Sequence, residues 1–166
     1  MRKNLSGAAP GNTLALDQRD RRLLKLLQDD GRATNASLAQ EIHMAEAPTW
    51  RRVRALEESG VIVGYRAVVD PRALGYEVLA FVHVRFGTHD PALQLAFEAD
   101  VLGIPQVLWC HNVSGATDFL LCAVARNLRE YGEFISTRIR SLRGVTSIES
   151  SFSLKAVKDS GIVPVE

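Results

Sequence analysis

The chain has 166 residues, enough for one domain or two small ones, and its 46% hydrophobic and 23% charged residues are an ordinary globular composition. The formal charge is +1, and the stretch up to Gly64 carries ten Lys/Arg against eight Asp/Glu, so a polycation is excluded and any nucleic-acid site must be a local patch. Two cysteines, Cys110 and Cys122, are too few for a disulfide framework or a zinc site, and no apolar run reaches membrane-spanning length. With no signal-peptide core at the start either, a soluble cytoplasmic protein without a metal, cofactor or membrane partner is expected.

Residues 1–13 mix Gly, Pro, Ser and Asn without apolar periodicity and read as a mobile tail. A first helix is expected from the N-cap Asp17, with Asp20 three residues on, a stripe of Leu16, Leu23, Leu24 and Leu27, and a stop at Asp30-Gly31. The second runs from about Asn35 to Ile42 and buries Leu38, Ala39 and Ile42. After a break at His43 to Ala45, the third spans about Glu46 to Ser59 and stops at Gly60. Val61 to Val69 is β-branched and reads as one or two short strands, with Asp70-Pro71 and Gly75 marking a boundary. The expected layout is a DNA-binding domain over 14–64 with its motif at 36–55, a strand linker over 65–77, a second domain over 78–158 and a C-terminal tail over 159–166.

The second half repeats a pattern. Val78 to Phe86 is a strand, and Asp90-Pro91 caps and starts a helix that buries Leu93, Ala96, Phe97 and Val101 before Gly103. Val107 to Val113 and Phe119 to Ala125 are strands joined by a turn at Ser114 to Thr117. Asn127 and Glu130 form a capping box for a helix lined by Tyr131, Phe134, Ile135, Ile139 and Leu142, and Ile148 to Leu154 is the last strand. The order β-α-β, β-α-β is the ferredoxin-like split unit, which makes the fold class α+β. Its strands are apolar on both faces: Val78, Ala80, Val82 and Val84 alternate with Leu79 and Phe81, and Phe119 to Ala125 has no polar position. Two helices cover only one face, so a second copy of the chain is expected against the other, in an obligate dimer.

On a helical wheel the third helix buries Trp50, Val53 and Leu56, with Thr49 at the edge of that face. Arg51, Ala47, Pro48 and Ala55 point away, flanked by Arg52 and Arg54. A narrow face of small residues and guanidinium groups suits a major groove about 12 Å wide, where arginine takes guanine or phosphate bidentately. The candidate DNA contacts are therefore Ala47, Pro48, Thr49, Arg51, Arg52 and Arg54. The alternative, a solvated face paired with Glu57 and Glu58, is outweighed by the preceding helix, the tight break and the β-branched run that follows.

The stretches LDQRDRRLLKLLQDDGR, NASLAQEI, APTWRRVRALEESGVIVGYRAVVDPRALG, FVHVR, the VLWCHNVSGATDFLL run and SSFSLKAVK, in this order over about Leu16 to Lys158, resemble the Lrp/AsnC family of feast/famine regulators of bacteria and archaea. The resemblance implies a winged helix-turn-helix joined by a strand linker to a ferredoxin-like ligand-sensing domain. It also implies dimers, often assembled into tetramers or octamers, and an amino acid bound between subunits. His43 stands where the family often has Gly in the turn; His is among the residues that tolerate a left-handed conformation. Ala45 replaces the usual N-cap Ser, removing a capping oxygen that Glu46 offsets in part through the helix dipole, and Thr49 replaces a Cys. In the effector loop, Ser114, Gly115, Ala116, Thr117 and Asp118, Gly115 and Asp118 match the family pattern and Ala116 and Thr117 do not. Gly115 permits close backbone approach, and the Asp118 carboxylate is placed to hold a ligand ammonium group, although both also suit a plain turn.

No active site is expected. Cys110 and His111 are strand neighbours whose side chains point to opposite faces, His83 and His89 stand without a partner motif, and no phosphate loop or nucleophile elbow is present. The expected function is a sequence-specific transcriptional regulator that binds double-stranded DNA, itself and a small amino acid. The alternatives are a low-specificity architectural DNA-binding protein and a ligand-sensing subunit that does not bind DNA.

Overall fold

The computed structural model describes residues 15–87, 90–159 and 161–166; the expected N-terminal tail and His89 lie outside them. The chain forms two compact units, the first from residues up to Val68 with the last residues of the chain, the second from Val69–Asp159.

Three helices make the first unit: α1 (Gln18–Asp29), α2 (Asn35–Glu41) and α3 (Glu46–Glu58). The capping box of α1 is complete, with the Asp20 N–H donating to Asp17 Oδ1 at 2.9 Å and the Asp17 N–H donating to Asp20 Oδ2 at 3.1 Å. Helix α2 is capped by Thr34, whose hydroxyl oxygen accepts from the Ser37 N–H. Between α2 and α3, His43 has φ of 53°, the left-handed conformation expected for the turn. Leu23, Leu38, Ile42, Val53 and Leu56 form the core, with Leu16, Leu24, Leu27, Met44 and Ile62 half-buried around it.

Two segments differ from expectation. Residues 61–69 form no strand: no neighbouring strand pairs with them among the described residues. Val63, Tyr65, Val68 and Val69 are left exposed. The C-terminal residues, expected as a plain tail, lie on α1. The Gln28 side-chain amide donates to the Val163 carbonyl at 3.0 Å and accepts from the Val163 N–H at 2.7 Å.

The second unit is a four-stranded antiparallel sheet of β1 (Val78–Phe86), β2 (Val107–Asn112), β3 (Phe119–Ala125) and β4 (Val145–Phe152), in the order β2-β3-β1-β4. Helices α4 (Pro91–Leu102) and α5 (Leu128–Phe134) complete the βαββαβ order, and α5 runs on into a π-helical turn, Ile135–Ile139. Asp90 caps α4 through the Ala92 N–H, with Pro91 at its first position. Asn127 caps α5 by accepting from the Glu130 N–H, which is one half of the expected box. Ala80, Val82, Val84, Phe119, Leu121 and Ala123 pack under Phe97, Val101, Tyr131 and Ile139 in one core. Within it Phe97 and Phe119 stand 4.6 Å apart between ring centroids, with Phe86 against both.

The register places two rows on the sheet's other face. His111, Leu120, His83 and Glu149 lie side by side, as do Trp109, Cys122, Phe81 and Ser151. This face is not wholly open within the chain. The Ser153 N–H extends the ladder by donating to the Leu79 carbonyl, and the segment beyond brings Asp159 close enough to Cys122 to act on its thiol. Cys122 and Val124 are buried, while Trp109 and His111 stay exposed.

Candidate nucleic-acid interface

Helix α3 starts without a side-chain cap, since Ala45 has no oxygen to offer. Thr49 does not replace that cap: its N–H and its hydroxyl both donate to the Ala45 carbonyl, the hydroxyl at 2.9 Å, so the first-turn N–H groups gain no acceptor from it. Thr49 is fully buried with its hydroxyl turned back on the helix, so it cannot reach DNA; that candidate contact is corrected. Trp50 is also corrected, in the other direction. It is 47% exposed on the surface, with the Arg54 guanidinium 5.4 Å from its ring centroid.

The three arginines have different settings. Arg52 donates to Asp20 Oδ1 at 2.7 Å and reaches Asp17 Oδ2 at 2.8 Å. The Asp20 side chain is only 10% exposed, so this cation compensates a carboxylate withdrawn from water. Arg52, expected on DNA, is thereby occupied in fastening α3 to the capping box of α1. Arg54 pairs with Glu58 one turn on, at 2.7 Å. Among the described residues Arg51 is the one guanidinium of α3 with no carboxylate partner, and it is exposed. It stands between exposed Ala47 and Ala55 at four-residue spacing, with Pro48 half-buried beside them.

The same network carries a pH dependence. The Asp20 N–H, and then Arg52, hold the Asp17 carboxyl below its ordinary value of 3.8. A native value below the unfolded one means that the stabilisation is complete above pH 3.8 and is lost as the pH falls through the lowered value. Helical circular dichroism followed through melts from pH 5 to pH 2 should show stability dropping below pH 4, and Asp17→Asn should flatten that part of the profile. An unchanged profile in Asp17→Asn would remove the capping box from the account.

In the second unit, the loop after β2 holds the expected effector residues. Ser114, Gly115 and Ala116 are exposed, and Thr117 and Asp118 half-buried. Gly115 has φ of 129°, a conformation that disfavours a side chain, and a Cβ there would meet nothing within 4 Å. Asp118 closes the loop on the sheet: its carboxylate accepts from the Phe86 N–H at 2.7 Å, and its own N–H donates to the Val84 carbonyl. The expected role of Asp118 as holder of a ligand ammonium is therefore qualified by this internal bond. Burial, with Glu98 nearby, pushes the Cys110 thiol up to about 11, and burial with Asp159 does the same for Cys122, so both are neutral thiols in their packing. Among the described residues no cluster of His, Cys, Asp and Glu could hold a metal, and no helix is long and apolar enough to cross a membrane.

Residues 16–63 match the family model described as winged helix-turn-helix DNA-binding, and residues 79–163 match the Lrp/AsnC ligand binding domain. The chain belongs to the Lrp/AsnC family of transcriptional regulators. It is 40% identical to the leucine-responsive regulatory protein of Rhizobium meliloti over 87% of this chain and 93% of that protein. The Bkd operon transcriptional regulator of Pseudomonas aeruginosa is 36% identical, over 86% and 93%. Among solved structures, a Neisseria meningitidis transcriptional regulator in complex with L-Met has a TM-score of 0.86 and 32% identity, covering 90% of this chain and 96% of that one. An AsnC family regulator from Agrobacterium tumefaciens has a TM-score of 0.84 and 30% identity, covering 90% and 97%. This Lrp/AsnC regulator is a DNA-binding protein. Sequence reading missed the Asp17–Asp20–Arg52 network in it. The signal was present: Asp20 lies three residues before Leu23 on the inward side of α1, where a carboxylate needs a cation.

Proposed function

We propose that this regulator reads specific DNA sequences by laying α3 in the major groove, with Arg51 as its principal contact. The observation that carries this is the exposed Ala47, Arg51 and Ala55 stripe, on which Arg51 alone is unpaired among the described residues. Small neighbours let the helix approach, and a free guanidinium forms two hydrogen bonds to guanine without first breaking an ion pair. Ala47, Pro48 and Arg54 flank the contact. The protein works as a dimer through the sheet face of Phe81, Trp109 and Leu120, reads a two-fold half-site pair in the cytoplasm, and assembles further into tetramers or octamers.

Its activity is modulated by a small amino acid at the Ser114–Asp118 loop. The exposed main chain of Ser114, Gly115 and Ala116 supplies the polar contacts, and Asp118 holds the loop in shape. The relative solved with L-Met supports an amino acid as the ligand class. Selection of bound genomic fragments with and without an amino-acid mixture tests both parts. Enrichment of one motif, shifted by the mixture, is expected. Retention without a motif would favour architectural binding, and twenty silent calorimetric titrations would remove the effector.

A further inference from the structure

The chain returns to its first unit at its end, and the way it does so is specific. Gln28 pairs in both directions with the main chain of Val163, and the Arg21 guanidinium donates to the main-chain oxygen of Glu166. Gln18, Arg21, Lys25 and Gln28 form one stripe along α1, at spacings of three, four and three residues. From Arg21 to Gln28 the helix rises by about 10.5 Å, at about 1.5 Å per residue. From Val163 to Glu166 an extended chain spans about 10 Å, at about 3.3 Å per residue. The segment thus lies extended and antiparallel along the stripe. Pro164 assists, because it restricts Val163 to extended backbone and carries no N–H that would need a partner.

What lies beneath is cationic. Gln18, Arg21, Arg22, Lys25 and Glu166 surround a cleft of about 260 Å³. Arg22 is paired with Glu41 at 2.9 Å, whereas half-buried Arg21 is bound by the strap and exposed Lys25 stands beside it on the same cleft as Glu166. Without the strap, Arg21 would be released to join exposed Lys25 at one-turn spacing, both clear of Glu166 and next to two amide side chains, a surface that fits a row of phosphates. We propose that residues 161–166 are a strap that masks a phosphate-binding stripe on α1, so that its release adds backbone contacts to the DNA-binding unit. The idea rests on this chain binding DNA, and the mask acts on backbone affinity rather than on base reading.

Gln28→Ala opens the strap without changing any charge, which makes it the cleaner variant; truncation after Asp159 is the second. In the full chain the Val163 amide should be protected from hydrogen exchange, and Gln28→Ala should lose that protection. Against a random-sequence duplex, both variants should bind more tightly than the full chain at low salt. Two added phosphate contacts steepen the salt slope by about 1.8, so the extra affinity should fade by about tenfold between about 50 and 200 mM salt. Arg21→Ala with Lys25→Ala in the truncated chain should restore the original slope. Equal or weaker binding by Gln28→Ala, while Arg51→Ala still weakens the full chain, would overturn the strap alone. An unprotected Val163 amide in the full chain would overturn it too. Absence of binding to any DNA, in the genomic selection as well, would overturn the DNA reading on which it rests.

Discussion

Arg51→Ala should weaken operator binding by about tenfold to a hundredfold, the 1–3 kcal/mol of a lost bidentate contact, and leave the melting profile unchanged. Arg52→Ala should do the reverse. It leaves the Asp20 carboxylate, 10% exposed, without its cation, and a hydrogen bond between charged groups contributes about 2 kcal/mol. The first unit should therefore unfold at lower temperature, and whatever operator affinity Arg52→Ala loses should return on cooling as the folded fraction recovers. The two neighbours are separated by environment alone. Arg51 faces outward between alanines, and Arg52 turns back onto the start of α1. Measuring melts and gel shifts on both variants decides the matter. A stable Arg52→Ala chain that fails to shift DNA would return Arg52 to the interface, and an undiminished shift with Arg51→Ala would remove Arg51 from it.

Phe81→Glu combined with Trp109→Glu should turn the proposed dimer into a monomer at micromolar concentration. The two rings lie 6.1 Å apart between centroids on the sheet face opposite the helices, Trp109 on edge strand β2 and Phe81 on central strand β1. A carboxylate placed where a second copy must exclude water costs several kcal/mol, so the dimer dissociation constant should rise by at least about a hundredfold. The core under α4 and α5 is on the other side of the sheet, so the monomer should keep its fold. Light scattering coupled to size exclusion gives the answer. A variant that stays dimeric would place the interface elsewhere, and a monomeric parent chain would remove the dimer altogether.

Much of this protein is legible in its sequence because its signals are local. Caps at Asp17, Asp90 and Asn127, the left-handed turn at His43 and the apolar stripes of the helices each depend on residues within a few positions of one another, and local chemistry is what sequence displays. The βαββαβ order follows from the same periodicities, and the ordered motifs point to the family. Four features depended on residues far apart in the chain. Residues 61–69 have the composition of a strand, but a strand exists only with a partner, and none is supplied among the described residues. Trp50 has the hydrophobicity of a core residue, but its neighbours leave it on the surface under Arg54, while the smaller Thr49 is fully buried. Arg52 looks like Arg51 until Asp20 is brought beside it across 32 positions. The strap joins Gln28 to Val163 across 135 positions, a separation at which no periodicity carries information. Sequence by itself determined the helices, the four strands of the sheet, their order and the family, because each is set by short-range chemistry. Which arginine of α3 is left unpaired and which fastens the helix to α1 was decided only by tertiary structure, since a charge takes its role from the opposite charge that folding places next to it.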